Sequence, residues 1–219
     1  MKKQEPIWLN LGCGVGLAEN PFINVDNFFT LEDLKKGKKT GEGLYRNATI
    51  PKNAKFVKGD LCNLPFPDNY ADYIEANDVI EHIEMRLVDK ALSEIYRVLK
   101  PGGKLGLSTT NFDALAKLWT INVTNNPLST QMDIDRMITL SQVIYGHQSS
   151  LGEFHKVPFN PYIMGYRLQM AGFKLGDFTI TIFPTNSPEM MPQKAYKGVA
   201  NYAPGTVILT EMMWIDAKK

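Results

Sequence analysis

Short apolar runs recur along the first half of the chain, and each is bounded by glycine or by polar residues. They occupy residues 7–11, 22–25, 55–58, 70–77 and 104–109. Runs of this length between turn residues are typical of buried strands. The sequence therefore predicts five strands, and polar residues such as Asp26, Asp60 and Asn77 lie at or just after their carboxyl ends.

A helical stripe follows the fourth run. Its apolar residues recur mainly at four-residue spacing: Ile83, Leu87, Val88, Ala91, Leu92, Ile95 and Leu99. The positive charges of Arg97 and Lys100 near its C-terminal end interact favourably with the helix dipole. Pro101 and the two glycines after it cannot continue the helix. A second helix is predicted over 161–171, with Asn160 as its N-cap and Gly172 as its stop.

Two further strands, at 173–182 and 206–215, would complete a sheet of seven. Strands that alternate with helices indicate a parallel sheet covered by helices on both faces, an α/β doubly wound fold. In such folds the ligand crevice lies at the carboxyl ends of the strands. The polar residues that end the predicted strands would therefore converge on one site.

The segment 111–160 does not continue this alternation of strands and helices, and we interpret it as an insertion that covers the crevice. It contains a candidate helix at 133–145. A polar and aromatic cluster follows that either binds an acceptor or forms a solvated loop: Tyr145, His147, Glu153, His155 and Lys156. The segment 183–205, rich in Pro, Asn, Ser and Met, is either a surface excursion or part of the acceptor pocket.

Composition narrows the class of protein. The chain has 219 residues, 44% hydrophobic, which suits one domain over 1–219. The net charge of +1 comes without a long basic surface, so nucleic acid is not an expected partner. Cys13 and Cys62 fit no disulfide or metal pattern, so we expect free thiols, no metal and a reducing compartment. No apolar run approaches the roughly 18 residues of a membrane span, so a soluble, cytoplasmic protein is expected.

The glycine cluster after the first strand suits a close approach of backbone to a ligand. Its spacing is GxGxG, and Asp26 follows Gly12 by only 14 residues. A dinucleotide site needs GxGxxG and an acidic residue about 20 positions further on. The spacing therefore disfavours a nicotinamide cofactor.

Five ordered motifs resemble the class I S-adenosylmethionine (SAM) dependent methyltransferases of the type 11 kind. The motifs are LNLGCGVG (9–16), INVD (23–26), GDLCNLPF (59–66), NDVIEH (77–82) and LKPGG (99–103). The resemblance covers residues 7–109 and resumes over 160–182. It implies a seven-stranded, mostly parallel Rossmann-like sheet with an antiparallel last strand, and SAM as cofactor with S-adenosylhomocysteine as product.

The resemblance also implies roles for individual residues. Gly12, Cys13 and Gly14 would lie under the methionine part of SAM, and Asp26 would bind the ribose hydroxyls. Asp60 would meet the adenine amino group with Leu61 flanking the ring, and Asn77 would face the sulfonium end. Simpler roles remain open: turn aspartates for Asp26 and Asp60, and a helix cap for Asn77.

His82 belongs to a Glu-His pair that resembles one common in this family. Its imidazole could assist deprotonation of an acceptor, or it could be structural, packing beside Ile83. One departure is that residues 17–22 are too few for the usual first crossover helix of three turns.

The predicted activity is transfer of the methyl group of SAM to a small-molecule or sugar-like acceptor by in-line displacement. The accepting atom, the oligomeric state and any dedicated base stay open. The alternatives are a catalytically degenerate SAM-binding module and another SAM-type transferase on the same fold, such as an aminopropyl transferase.

Overall fold

The computed structural model describes residues 5–14, 16–28, 30–35, 50–125, 131–146, 148, 152–182 and 212–219. The strands in them are β1 (Trp8–Leu11), β2 (Phe22–Asp26), β3 (Lys55–Lys58), β4 (Ala71–Asn77), β5 (Leu99–Thr110), β6 (Phe178–Ile182) and β7 (Met212–Lys218). The helices are α1 (Leu31–Lys35), α2 (Val88–Val98), α3 (Phe112–Asn125), α4 (Gln131–Tyr145) and α5 (Pro161–Ala171). Two 3₁₀ turns, Ile80–His82 and Met85–Leu87, precede α2.

The strands form one sheet in the order β3-β2-β1-β4-β5-β7-β6. β7 runs antiparallel to both of its neighbours, whereas the other paired strands are parallel. The strand order reverses at β1, which lies between β2 and β4, and this is the switch point at which doubly wound sheets bind ligands. The predicted fold class is confirmed.

Alternating residues of the sheet form the core with two helices. Leu9, Leu11, Ile74, Leu105 and Leu107 are 0–1% exposed. The buried face of α2 and that of α5 belong to the same cluster, and these two helices pack against each other. No helix in the described part of the chain is long and apolar enough to cross a membrane.

Several predicted boundaries were wrong near the start and end of α2. The helix begins at Val88 instead of residue 83, because the two 3₁₀ turns occupy the residues before it. It ends at Val98, and β5 begins at Leu99 instead of residue 104. The backbone of Gly102 and Gly103 pairs with Lys219, which joins this stretch to the sheet.

The second half of the chain shows both agreement and error. α5 matches its predicted bounds, the side chain of Asn160 accepts from the amide of Ile163 at 2.9 Å, and Gly172 ends the helix at φ 115°. Helix α3 was not predicted, and β6 begins at Phe178 instead of residue 173. β7 extends to Lys218, beyond the predicted end at residue 215, whereas residues 183–211 lie outside the described part.

Two side-chain amides, in place of a helix, fasten the first crossover. As expected, the described residues between β1 and β2 contain no helix. Asn24, which is fully buried, accepts from the amide of Ala18 and donates to the carbonyls of Ala18 and Lys55, all at 2.8–3.0 Å. Asn10 donates to Asn24 at 2.9 Å and to the carbonyl of Gly16 at 3.1 Å. The two amides therefore fasten the connection to the sheet.

Replacement of Asn24 by leucine, which has a similar shape, should lower the free energy of unfolding by about 3 kcal/mol, since several buried polar groups lose their partner. Urea denaturation monitored by circular dichroism measures the change. Asn53→Leu, at an exposed turn position, is the matched control and should change stability by less than about 0.5 kcal/mol. Equal effects of the two substitutions would contradict a fastening role for Asn24.

Candidate active site

The glycine loop leaves β1 through two residues in the left-handed region. Gly12 has φ 62° and Gly14 has φ 49°, a conformation that costs other residues about 1 kcal/mol or more. A Cβ atom on Gly12 would also overlap the side chain of Val79, so this position has no room for another residue. Cys13 between them is buried, and its amide donates to the carbonyl of Val25 at 3.2 Å.

Asp26 ends β2 beside this loop and is 5% exposed. Its Oδ2 accepts from the amide of Gly14 at 2.9 Å, and its Oδ1 accepts from the amide of Phe28 at 2.7 Å. A carboxylate offers about four lone-pair sites, so it can accept from more than two donors at once. The ribose contact of Asp26 stays a prediction.

Asp60 and Leu61 lie in the turn after β3. Asp60 is exposed, and its Oδ1 accepts from the amide of Cys62 at 2.8 Å, which is the geometry of a turn aspartate. Leu61 is 7% exposed and belongs to the core cluster. The turn role of Asp60 is therefore present in this structure, whereas its contact with adenine stays a prediction.

Glu94 and Arg97 on α2 form an ionic clamp that holds the residues after the turn of Asp60 and Leu61. Glu94 accepts from the amide of Leu64 at 2.8 Å and pairs with Arg97, which donates to the carbonyls of Leu64 and Phe66. The hydrogen bond from Arg97 lowers the pKa of Glu94, and the bond from Leu64 acts in the same direction. The clamp therefore fixes the loop that carries Asp60.

Asn77 ends β4 on the other side of the crevice. Its amide donates to Oε1 of the buried Glu75 at 2.5 Å, and its Oδ1 accepts from the hydroxyl of Ser108 at 3.0 Å. The N-cap of the Ile80–His82 turn is Val79, and the turn has no side-chain cap bond. The capping role suggested for Asn77 is therefore not present, and its contact with the sulfonium stays a prediction.

Glu81 and His82 lie in the 3₁₀ turn after β4, one turn before α2. Burial raises the pKa of the fully buried Glu81 well above its usual range, and Asp78 raises it further. Burial lowers the pKa of His82, although Asp78 acts in the opposite direction. The Nδ1 of His82 lies 3.2 Å from the carbonyl of Phe154.

Residues 153–159, which we call the strap, form backbone bonds with residues that follow the carboxyl ends of β4 and β5. The amide of Lys156 donates to the carbonyl of Glu81 at 2.7 Å, and the amide of His155 donates to that of Tyr145 at 3.1 Å. The imidazoles of His82 and His155 meet edge to face with centroids 4.7 Å apart. The structure thus joins two histidines that are distant in sequence.

The polar cluster predicted at 145–156 is only partly a solvated loop. Tyr145 and Lys156 are exposed, but Glu153 is buried and His155 is half-buried. His147 lies outside the described residues. Asp78, His82 and His155 offer ligand atoms that all lie within 4.8 Å of one another, so this group could hold a metal ion.

A cavity of about 520 Å³ adjoins the strap. Helices α3 and α4 and the strap form its walls, and Thr110 at the end of β5 reaches it. Most of its lining is apolar or aromatic: Phe112, Leu115, Ala116, Trp119, Ile144, Tyr145, Val157 and Pro158, with Thr110, Thr120, His155 and Lys156. A site of this size and character suits a small organic molecule.

The family described as "Methyltransferase domain" matches residues 9–107, the part that carries β1 to β5 and the polar strand ends. The match covers somewhat less than half of the chain and supports a class I SAM-dependent methyltransferase. The chain is 36% identical over 94 residues to the ubiquinone/menaquinone biosynthesis C-methyltransferase UbiE of Psychromonas ingrahamii, covering 41% of the chain and 37% of that protein.

A second relative is the sterol 24-C-methyltransferase erg6 of Schizosaccharomyces pombe, 33% identical over 106 residues, which are 45% of the chain and 26% of that protein. The aligned part is thus less than half of each relative. Human N-acetylserotonin methyltransferase in complex with SAM shares the fold at TM-score 0.51 and 18% identity, over 98% of this chain and 47% of that one.

Sequence reasoning missed the polar residues inside the strands of this chain. Asn10, Asn24, Glu75 and Ser108 form the bonds that fasten the crossover and orient Asn77. The available signal was a polar residue at alternate positions within otherwise apolar runs. The cavity residues on α3 were missed because that helix was not predicted.

Glu94→Gln should lower the free energy of unfolding by about 1 kcal/mol at pH 7, since a charged hydrogen bond is lost at a partly solvated site. Because folding lowers the pKa of Glu94, its contribution is complete above the unfolded value of about 4.3 and disappears as the pH falls through the folded value. Urea unfolding between pH 3 and pH 7 tests this. Glu19→Gln controls for loss of an exposed carboxylate, and a mutant deficit independent of pH would contradict the clamp.

Proposed function

We propose that the chain transfers the methyl group of SAM to a small-molecule acceptor bound between α3, α4 and the strap. The observation that carries this proposal is the apolar cavity, which reaches the end of β5 through Thr110 and includes His155, the ring partner of His82. The cavity thus adjoins the strand ends where the family motif lies. Residues 111–160 would then cover the acceptor site.

The cofactor half of the site would use the residues named from the family resemblance. They are Gly12, Cys13, Gly14, Asp26, Asp60, Leu61 and Asn77. The left-handed glycines let the loop backbone approach the methionine part, and Asp26, oriented by the amides of Gly14 and Phe28, would accept from the ribose hydroxyls.

The lining of the cavity favours an acceptor with a compact apolar or aromatic body. Sugars need many hydrogen-bonding groups, whereas most of the residues here are apolar or aromatic. This favours the small molecule over the sugar-like acceptor. The curated relatives named for quinone biosynthesis and for sterols support the same class.

The reaction requires alignment more than a dedicated catalytic residue. An acceptor atom attacks the methyl carbon of SAM in line with the carbon–sulfur bond, whose electron pair returns to sulfur and removes its positive charge. Holding both reactants in this geometry supplies several kcal/mol. The cavity would position the acceptor, and the strand ends would position the sulfonium.

Asp26→Ala should weaken binding of SAM and of S-adenosylhomocysteine at least about tenfold, because it removes a charge-assisted ribose contact and the acceptor of the Gly14 amide. Isothermal titration calorimetry measures both ligands, with NAD as a non-binding control. Asp216→Ala removes an exposed carboxylate from β7 and should leave affinity unchanged. Absence of SAM binding by the folded wild-type chain would overturn the proposed function.

Ala116→Trp should fill part of the cavity and lower methyl transfer at least about tenfold, since the larger side chain would occupy the space in which the acceptor is positioned. Formation of S-adenosylhomocysteine with a panel of small phenols, amines and thiols measures turnover. SAM affinity should not change. A wild-type chain that binds SAM but turns over none of a broad panel would favour the degenerate binding module.

A further inference from the structure

Three potential metal ligands from separate parts of the chain meet beside the cofactor half of the site. Asp78 follows β4, His82 ends the first 3₁₀ turn, and His155 comes from the strap. Their ligand atoms lie within 4.8 Å of one another. Ligands of one ion with bonds of about 2.1 Å lie roughly 3 to 4 Å apart, so small side-chain rotations would bring them to a common centre.

The hydrogen bond of His82 determines which of its nitrogens is available. The carbonyl of Phe154 can only accept, so at 3.2 Å it takes a hydrogen from Nδ1. The lone pair then lies on Nε2. Metal-bound histidines usually donate their second ring N–H to a carbonyl or carboxylate in this manner. The strap therefore holds His82 in the tautomer that a ligand requires.

Glu81 adjoins this group. It is 0% exposed, and its carboxyl lies beside that of Asp78. Two carboxyl groups at short range repel each other when both are charged. A cation held by Asp78 and the two imidazoles would offset that repulsion.

We propose that Asp78, His82 and His155 bind one divalent transition-metal ion, with Glu81 as an adjoining carboxyl, and that the ion binds a hydroxyl of the acceptor. Two imidazoles and a carboxylate suit zinc, manganese, iron or cobalt better than magnesium or calcium. The binding of the ion depends only on residues of this chain, whereas the binding of an acceptor hydroxyl by the ion rests on the proposed function. This assignment replaces the expectation of no metal, and His82 becomes a ligand instead of a base.

The ion would select an oxygen nucleophile. A hydroxyl bound to a divalent cation loses its proton more readily, as metal-bound water does. The proton leaves to bulk water, an oxygen lone pair forms a bond to the methyl carbon of SAM, and the carbon–sulfur pair returns to sulfur. The products are a methyl ether, neutral S-adenosylhomocysteine and one proton. The acceptor class would be a phenol or alcohol with an apolar body, which fits the cavity lining.

The full chain, treated with EDTA and dialysed, is titrated with Co²⁺ by calorimetry and by visible absorption. The expected result is one ion per chain, with d–d bands of an imidazole and carboxylate site, displaced by Zn²⁺. Asp78→Asn and His155→Ala should each weaken Co²⁺ binding at least about tenfold. Glu84→Gln removes an exposed carboxylate paired with Arg86 in the same segment and should not weaken it.

Thermal melting confirms that each variant is folded, and Glu81→Gln gives a second, isosteric test of the site. The proposal is overturned if the folded wild-type chain binds none of Co²⁺, Zn²⁺ and Mn²⁺ at 1:1 stoichiometry, or if Asp78→Asn and His155→Ala bind as well as the wild type. Titration of SAM into the metal-free chain separates the two proposals. SAM binding without metal binding would refute only the metal site, whereas metal binding without SAM binding would refute the methyltransferase function.

Discussion

The contact between Gly12 and Val79 sets the distance between the two halves of the crevice. β1 and β4 are neighbours in the sheet, and the chain leaves both at the same edge. Because Gly12 lacks a side chain, the glycine loop lies directly against the residue that precedes the Ile80–His82 turn. Any Cβ here would displace Val79, and with it the segment that carries Asp78 and His82. The cofactor loop and the acceptor side therefore depend on one position without a side chain.

Buried polar groups perform two opposite tasks in this structure. Asn24 is fully buried with its hydrogen bonds satisfied, so it fastens a crossover that has too few residues for a helix. Glu81 is equally buried, but its carboxyl lies beside a second carboxyl, that of Asp78. A satisfied amide stabilises the fold, whereas a buried carboxyl beside another carboxyl lowers stability and persists where a ligand can use it. The difference separates a structural residue from a residue of the site.

The sequence predicted correctly the elements whose bounds depend on residues close together in the chain. The bounds of β3 and α5 agree with prediction because an apolar run with turn residues, and an Asn-Pro start with a glycine stop, act within a few residues. The start of α2 was wrong because the apolar stripe continues through two 3₁₀ turns that share its spacing. β5 was predicted too short because its first residues pair with Lys219 at the end of the chain. The approach of His155 to His82 was unpredictable for the same reason, since it depends on tertiary bonds made by the strap.

The two halves of the crevice also differ in how strongly their geometry restricts the residue at each position. On the cofactor side, left-handed φ angles at Gly12 and Gly14 and the buried Asp26 restrict residue choice. The strap is held through the carbonyls of Glu81, Tyr145 and Phe154, two of which accept backbone amides of the strap itself. Backbone bonds of this kind do not depend on the side chains of the strap, with the exception of His155, whose ring meets that of His82. The family match over residues 9–107 ends before α3, α4 and the strap, so the restricted positions of the cofactor side lie inside the matched part and the strap lies outside it.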